Sequence, residues 1–163
     1  MSTILVTGAN GQLGNEMRNM SLLDDANKYI FTDVRELDIT DLAAVQNFLS
    51  ENAVDFIVNC AAYTAVDKAE SEIELCRKIN AFAVENLAKA SASVGAKMIH
   101  VSTDYVYSGT HYMPYVETDA VAPASVYGVT KLEGEQLLLA ANPNSVILRT
   151  SWLYSPYGNN FVK

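Results

Sequence analysis

Short apolar runs rich in β-branched residues alternate with helical stretches along the whole chain, and this alternation limits it to one class of fold. Residues 3–7, 29–34, 56–60, 97–102 and 145–150 read as five strands. Between them lie segments with helical character. The first covers 11–20, and the second 41–50, with Thr40 or Asp41 as its N-cap. The third covers 72–94, with Ile73, Cys76, Ile79, Ala83 and Leu87 at helical spacing and Gly95 as its stop. The fourth covers 125–141 and stops at Asn142-Pro143-Asn144. Residues 103–123 have no helical period and are rich in Thr, Asp, Tyr, Gly and Pro, so a loop is expected there. Apolar strands that are each returned by a helix belong in an α/β fold: a parallel sheet with helices on both faces and right-handed crossovers. The chain's 163 residues suit one domain, residues 1–163, with no internal repeat or linker.

Composition excludes several functions. Half the residues are hydrophobic and 18% are charged, an ordinary soluble composition. A net charge of −8 argues against nucleic acid as partner, because phosphate backbones need clustered Lys and Arg. No apolar run is long enough to cross a bilayer, and the N-terminus runs straight into a strand-like pattern without a signal peptide. The two cysteines, Cys60 and Cys76, make a poor disulfide framework. A reducing cytoplasm, with both thiols buried as small hydrophobes, is the expectation.

The turn after the first strand carries the first chemical signal. Gly8-Ala9-Asn10-Gly11-Gln12-Leu13-Gly14 places glycines at a G-x-x-G-x-x-G spacing between a strand and a helix. In that context Gly8 permits the sharp turn, Gly11 lets the backbone approach a pyrophosphate, and Gly14 lets the helix pack on the sheet. The helix N-terminus then offers N–H groups to phosphates. The same spacing also serves a tight turn with no ligand. A Rossmann-like doubly wound sheet binding a nicotinamide dinucleotide is the reading favoured here, because an acidic residue, Asp33, closes the second strand. Asp33 could accept from a ribose 2′-OH, which favours NAD, while Arg35 could pair with a 2′-phosphate, which favours NADP. The two cues conflict and leave NADH and NADPH both open. Asp38 and Ile39 fall where an adenine edge would sit, although Asp38 reads equally as a loop or cap residue.

Tyr127 and Lys131 are four residues apart on one helix, so they project from the same face. A free phenol titrates too high to exchange protons well at neutral pH, and a nearby ammonium lowers its pKa. Such a pair can act as general acid on a ketone, or as general base in reverse. Ser102-Thr103 ends the fourth strand, where a hydroxyl could polarise a carbonyl. Asn80, in the preceding helix, could hold a water or backbone group in line with Lys131. A lone Tyr-x-x-x-Lys is ordinarily surface helix; the combination weighs against that.

These residues resemble the extended short-chain dehydrogenase/reductase superfamily, and within it the reductases of dTDP-linked 4-keto-6-deoxy hexoses. The resemblance is carried by Gly8–Gly14, by 37–41 (LDITD), 59–70 (NCAAYTAVDKAE), 101–107 (VSTDYVY), 127–134 (YGVTKLEG) and 148–154 (LRTSWLY). It implies hydride transfer from NAD(P)H to the sugar C4, giving dTDP-L-rhamnose. It also implies that Tyr127 donates the proton, that Lys131 holds the nicotinamide ribose and tunes Tyr127, and that Thr103 bonds the reacting oxygen. Asp104, Tyr105 and Trp152 would contact the sugar. Ala61, Ala62, Tyr63 and Thr64 would line the cofactor together with the glycine loop, Asn10, Gln12 and Leu13. Trp152 could instead be core, and Cys60, Ala61 and Ala62 could be small only for backbone packing. Glu16 matches a glutamate that some members use for Mg2+ at a dimer contact, but it reads more safely as a solvated helix residue; no metal site is assigned. A homodimer is compatible with this resemblance.

Nucleotide-sugar 4,6-dehydratases of this superfamily carry Thr-Asp-Glu after the fourth strand, where the glutamate serves as base. This chain has Thr103-Asp104-Tyr105, which disfavours elimination. An epimerase or another reductase of the superfamily stays open, as does a non-catalytic regulatory subunit of similar fold. Members of the superfamily are longer, with a C-terminal region that builds most of the sugar pocket. The expectation is therefore the cofactor half of a longer enzyme, with the substrate domain absent or truncated.

Overall fold

The computed structural model describes residues 1–163. Five strands form one parallel sheet: β1 (Thr3–Thr7), β2 (Lys28–Thr32), β3 (Phe56–Asn59), β4 (Lys97–Thr103) and β5 (Val146–Thr150), in the order β2-β1-β3-β4-β5. Helix α1 (Gln12–Ser21) follows β1, and α2 (Leu42–Glu51) follows β2. A short α3 (Val66–Ala69) follows β3 and leads into α4 (Ile73–Arg77), a π-helical turn (Lys78–Phe82) and α5 (Ala83–Val94). Between β4 and β5 lie a 3₁₀ turn (Asp104–Val106) and α6 (Val126–Ala141).

The chain leaves β1 for β2 in one direction, then crosses back to β3 and continues the other way. Right-handed crossovers therefore put α1 on one face and α2, α4–α5 and α6 on the other. The element neighbours agree: α1 lies against β1 and β2, whereas α2 lies against α5 and α5 against α6. The main core lies under these three helices, with Leu5, Val45, Leu49, Ile57, Val84, Leu87, Met98 and Leu138 fully or almost fully buried. The opposite face is covered by α1 alone, and Val146 and Leu148 on the edge strand β5 are half exposed.

The expected α/β sheet is present, with four differences. Strand β2 stops at Thr32 because Asp33 turns away: its carbonyl accepts from Glu36 and Leu37 N–H. The helix expected over 72–94 is interrupted by the π-helical turn around Asn80. Helix α3 was not foreseen. The expected loop 103–123 begins with the last residue of β4 and contains the 3₁₀ turn and an isolated Tyr107–Val121 bridge.

Candidate active site

In a sheet of this order the crevice opens beyond the C-terminal ends of β1 and β3, where successive connections leave in opposite directions. The structure has a cavity of about 410 Å³ there, lined by Gly8 and Gly11 after β1, Asp33 after β2, Cys60, Ala61 and Ala62 after β3, and Lys78 and Ile79 from the long helix. Gly8 has φ +64°, and a Cβ on it would lie 2.6 Å from the backbone of Ala61. The glycine turn and the β3 loop are therefore in backbone contact, with no room for a side chain at Gly8. A Cβ at Gly14 would lie 2.4 Å from the Gly8 carbonyl oxygen, so α1 starts hard against the turn. No side chain caps α1, leaving its N-terminal N–H groups to a ligand or water.

The carboxylate of Asp33 accepts from Asn10 N–H at 3.0 Å and Val34 N–H at 2.8 Å, tying β2 to the glycine loop. Arg35 is exposed just beyond it. Asp38 also lines the cavity together with Ile39, and hydrogen bonds from Thr40 hold its carboxyl below the usual range. Gln12 and Leu13 are half-buried at the start of α1; Gln12 accepts from Asn160. Tyr63 lies outside the cavity lining: its hydroxyl donates to Glu72 at 2.5 Å, pushing its pKa up to about 12, and Thr64 beside it is exposed. Cys60 is half-buried, with a thiol pushed up to about 12 by desolvation, while Cys76 is fully buried.

Helix α6 carries the Tyr–Lys pair. Ser125 caps it by accepting from Gly128 N–H at 3.1 Å, and Glu70 accepts from Val126 N–H at 2.9 Å. Ser125→Ala is expected to cost about 1 kcal/mol, measured by urea unfolding, since N-cap removal typically does so. Unchanged stability would show that Glu70 caps the helix alone.

Tyr127 faces Thr103 at the end of β4, and the Tyr105 ring stands edge-on to it at 5.5 Å between centroids. Burial raises the Tyr127 pKa, and the neighbouring Thr103 hydroxyl pulls the other way. That hydroxyl itself donates to Asp104 Oδ1 at 3.1 Å and accepts from Tyr105 N–H at 3.2 Å. The expected lowering by Lys131 is absent: Lys131 is not among the groups that shift Tyr127 here, and it is engaged with strand β4. Its Nζ donates to the Val101 carbonyl at 2.8 Å and meets His100 Nε2 at 3.2 Å. Asn80 sits in the π-helical turn and binds both backbone groups of Tyr63, accepting from its N–H at 2.8 Å and donating to its carbonyl at 3.1 Å. It therefore holds the backbone of Tyr63; its other side-chain neighbours are Cys76 and Thr130.

A second cavity, about 600 Å³, lies between the ends of β4 and β5 and is lined by Asp104, Tyr107, Glu135 and Arg149 among others. Tyr105 is half exposed, and Trp152 is 72% exposed against Phe161, so Trp152 is not core. Glu135, Arg149, Tyr107 and His100 were not picked out as functional from the sequence. A signal existed for two of them: Glu135 is one turn beyond Lys131 on the same face, and Arg149 is a charge inside an apolar strand. Glu16 is half-buried, and no group of three or more His, Cys, Asp or Glu side chains is placed to hold a metal ion. No helix is long and apolar enough to cross a membrane.

A parallel sheet with a glycine turn at its switch point and a Thr–Tyr–Lys group beside it defines a Rossmann-like, short-chain reductase type of domain. The chain belongs to the family described as RmlD substrate binding domain, which matches residues 1–163. It is 43% identical, over all of its length and 55% of the relative's, to a dTDP-4-dehydrorhamnose reductase of Aggregatibacter actinomycetemcomitans. Among solved structures it resembles a dTDP-4-dehydrorhamnose reductase of Clostridium acetobutylicum, with 51% identity, a TM-score of 0.94, and coverage of 98% of this chain and 56% of that one. It also resembles the Bacillus anthracis dTDP-4-dehydrorhamnose reductase in complex with NADP, with 43% identity, a TM-score of 0.95, and coverage of 99% and 58%. The chain thus spans about half the length of the relatives it matches.

Proposed function

We propose that this chain is the cofactor-binding and proton-donating half of a reductase that converts the C4 ketone of dTDP-4-dehydro-6-deoxy-L-mannose to dTDP-L-rhamnose. The observation that carries this reading is the placement of Tyr127 against Thr103 at the C-terminal edge of the sheet that also holds the switch-point cavity. The cavity residues fit a dinucleotide: glycines where a Cβ would strike backbone, an uncapped helix N-terminus, and apolar Ile39 and Ile79 beside Asp38. When bound, NAD(P)H supplies the hydride. Thr103 orients the reacting oxygen, Tyr127 donates its phenolic proton to that oxygen, and Lys131, four residues on along the same helix, holds the nicotinamide ribose. Asp104 accepts from sugar hydroxyls at the mouth of the second cavity, and the exposed rings of Tyr105 and Trp152 contact the sugar.

The 2′-phosphate form is the preferred cofactor in this reading. Asp33 already accepts two backbone N–H groups, so it is partly committed to structure, while Arg35, two residues on, is exposed. A reducing, cytoplasmic setting suits the two free thiols.

Thermal unfolding of the chain with NADPH and NADH tests the reading. At about one hundred times Kd a native-state ligand stabilises by about 2.7 kcal/mol, which raises Tm by roughly 5–10 °C in a domain of this size. NADPH is expected to give that shift at lower concentration than NADH, and Arg35→Ala to remove the difference. No shift with either cofactor at millimolar concentration would reduce the glycine turn to a structural role.

A further inference from the structure

Lys131 ends a buried polar chain that crosses three strands. Thr7 Oγ1 on β1 donates to Asn59 Oδ1 on β3 at 2.7 Å, Asn59 Nδ2 meets His100 Nδ1 on β4 at 2.9 Å, and His100 Nε2 meets Lys131 Nζ at 3.2 Å. All four residues are 1% exposed or less. Oδ1 of Asn59 also accepts from the backbone N–H of Ala61 at 3.1 Å.

The Ala61 contact fixes the direction of the chain. A backbone N–H only donates, so the atom facing it is the amide oxygen, and the amide nitrogen faces His100. An amide nitrogen donates, so His100 Nδ1 accepts and the neutral ring carries its proton on Nε2. Burial holds the ring neutral and keeps its pKa well below the ordinary value, and Lys131 adds to this only in its charged form. Nε2–H therefore points at Lys131 Nζ. An ammonium has no lone pair to offer that N–H. A neutral amine does: it accepts from His100, donates one hydrogen to the Val101 carbonyl, and keeps one for the site. Every buried polar atom in the chain is satisfied only when Lys131 is an amine.

We propose that Asn59 and His100 are positioning residues for Lys131: they present a fixed N–H donor on which the amine form docks, while the ammonium form leaves it for the Tyr127 side. This rests on the role proposed for Lys131 above. The buried setting is consistent with a group that changes charge within reach of neutral pH. Desolvation lowers the Lys131 pKa to about 8, with Glu135 and Cys76 acting in the opposite direction. Of these, Glu135 is committed to Arg149 on β5, and Tyr127, on the same helix, has Asp104, Tyr105 and Cys76 as its own titratable neighbours. The amine form dominates above that pH and the ammonium form below it.

Long-range 1H–15N spectra of the 15N-histidine-labelled chain across pH 6–10 test the proposal; His111, exposed on the surface, is the only other histidine. Above pH 8 His100 is expected to show the neutral Nε2–H pattern, and an Nδ1–H pattern or an imidazolium there would overturn the proposal. Asn59→Asp keeps an acceptor for Ala61 but replaces the amide donor by an acceptor. It should switch His100 to the Nδ1–H form and raise the Lys131 midpoint, followed at its Cε carbon, by at least about one unit, a tenfold change in the amine/ammonium ratio. An unchanged tautomer with an unchanged midpoint would also overturn it. If that variant does not fold, the wild-type tautomer still decides. NADPH titration of the same samples tests the functional reading separately, because the tautomer is read without cofactor or turnover.

Discussion

Replacing Gly134 with alanine is expected to destabilise the chain by roughly 2–3 kcal/mol, a large loss for a substitution that adds one methyl group. A Cβ at this position would lie 2.1 Å from the carbonyl oxygen of Asn80 and 3.2 Å from its carbonyl carbon. Both are backbone atoms, so no side-chain rotation relieves the overlap. The π-helical turn over Lys78–Phe82 is what brings this carbonyl against α6. Alanine's better helix propensity returns about 1 kcal/mol, which is too little to offset backbone overlap. Relief requires α6 and the π-helical turn to part, and these are the elements that carry Lys131 and Asn80. The urea midpoint should fall with little change in slope, and NADPH affinity should fall with it. A variant as stable as the parent would mean that the two helices do not approach this closely.

The α/β class was legible because periodicity reports it directly: apolar runs such as 3–7 and 97–102 read as strands whatever surrounds them. The glycine turn was legible for the same reason, since its spacing meets a steric demand of one turn, seen at Gly8 and Gly14. The π-helical turn was not legible. It inserts one residue into a helix whose composition stays ordinary, and its cause is tertiary: Asn80 bonds the backbone of Tyr63, seventeen residues away in sequence. The Tyr–Lys pair was legible as a shared helix face, but its electrostatics were not. Four-residue spacing says that two side chains can meet, whereas the direction Lys131 takes is decided by His100 and Val101 on a strand thirty residues away. The polar residues of the strands, Asn59, His100 and Arg149, were passed over because an apolar pattern tolerates single polar positions without revealing their partners.

Arg149→Leu is expected to cost about 3 kcal/mol, at the lower end of the range for breaking a buried ion pair. Glu135 is 3% exposed. It receives Arg149 through Nε at 3.1 Å and Nη2 at 2.7 Å, and the Ser102 hydroxyl at 2.5 Å. Removing the guanidinium leaves a buried carboxylate with Ser102 as its remaining side-chain donor. The cost stays at the lower end because the Arg149 side chain keeps 23% of its surface in solvent, so water can reach the vacated side. The double variant Arg149→Leu with Glu135→Leu should recover most of the loss, because the cost of an unpaired buried charge disappears with the charge. The effect should also reach the second cavity. Arg149 donates to the Tyr107 hydroxyl at 2.8 Å, that hydroxyl donates to the Val116 carbonyl, and the Tyr107 ring stacks on Tyr115 at 4.3 Å. Arg149 thus ties the edge strand to the loop that walls the cavity. Amide exchange in residues 107–116 should speed up in the single variant and stay fast in the double one, since removing Glu135 restores stability but not the Arg149–Tyr107 bond. Slow exchange in both would place the loop's anchor in the Tyr107–Tyr115 stack instead.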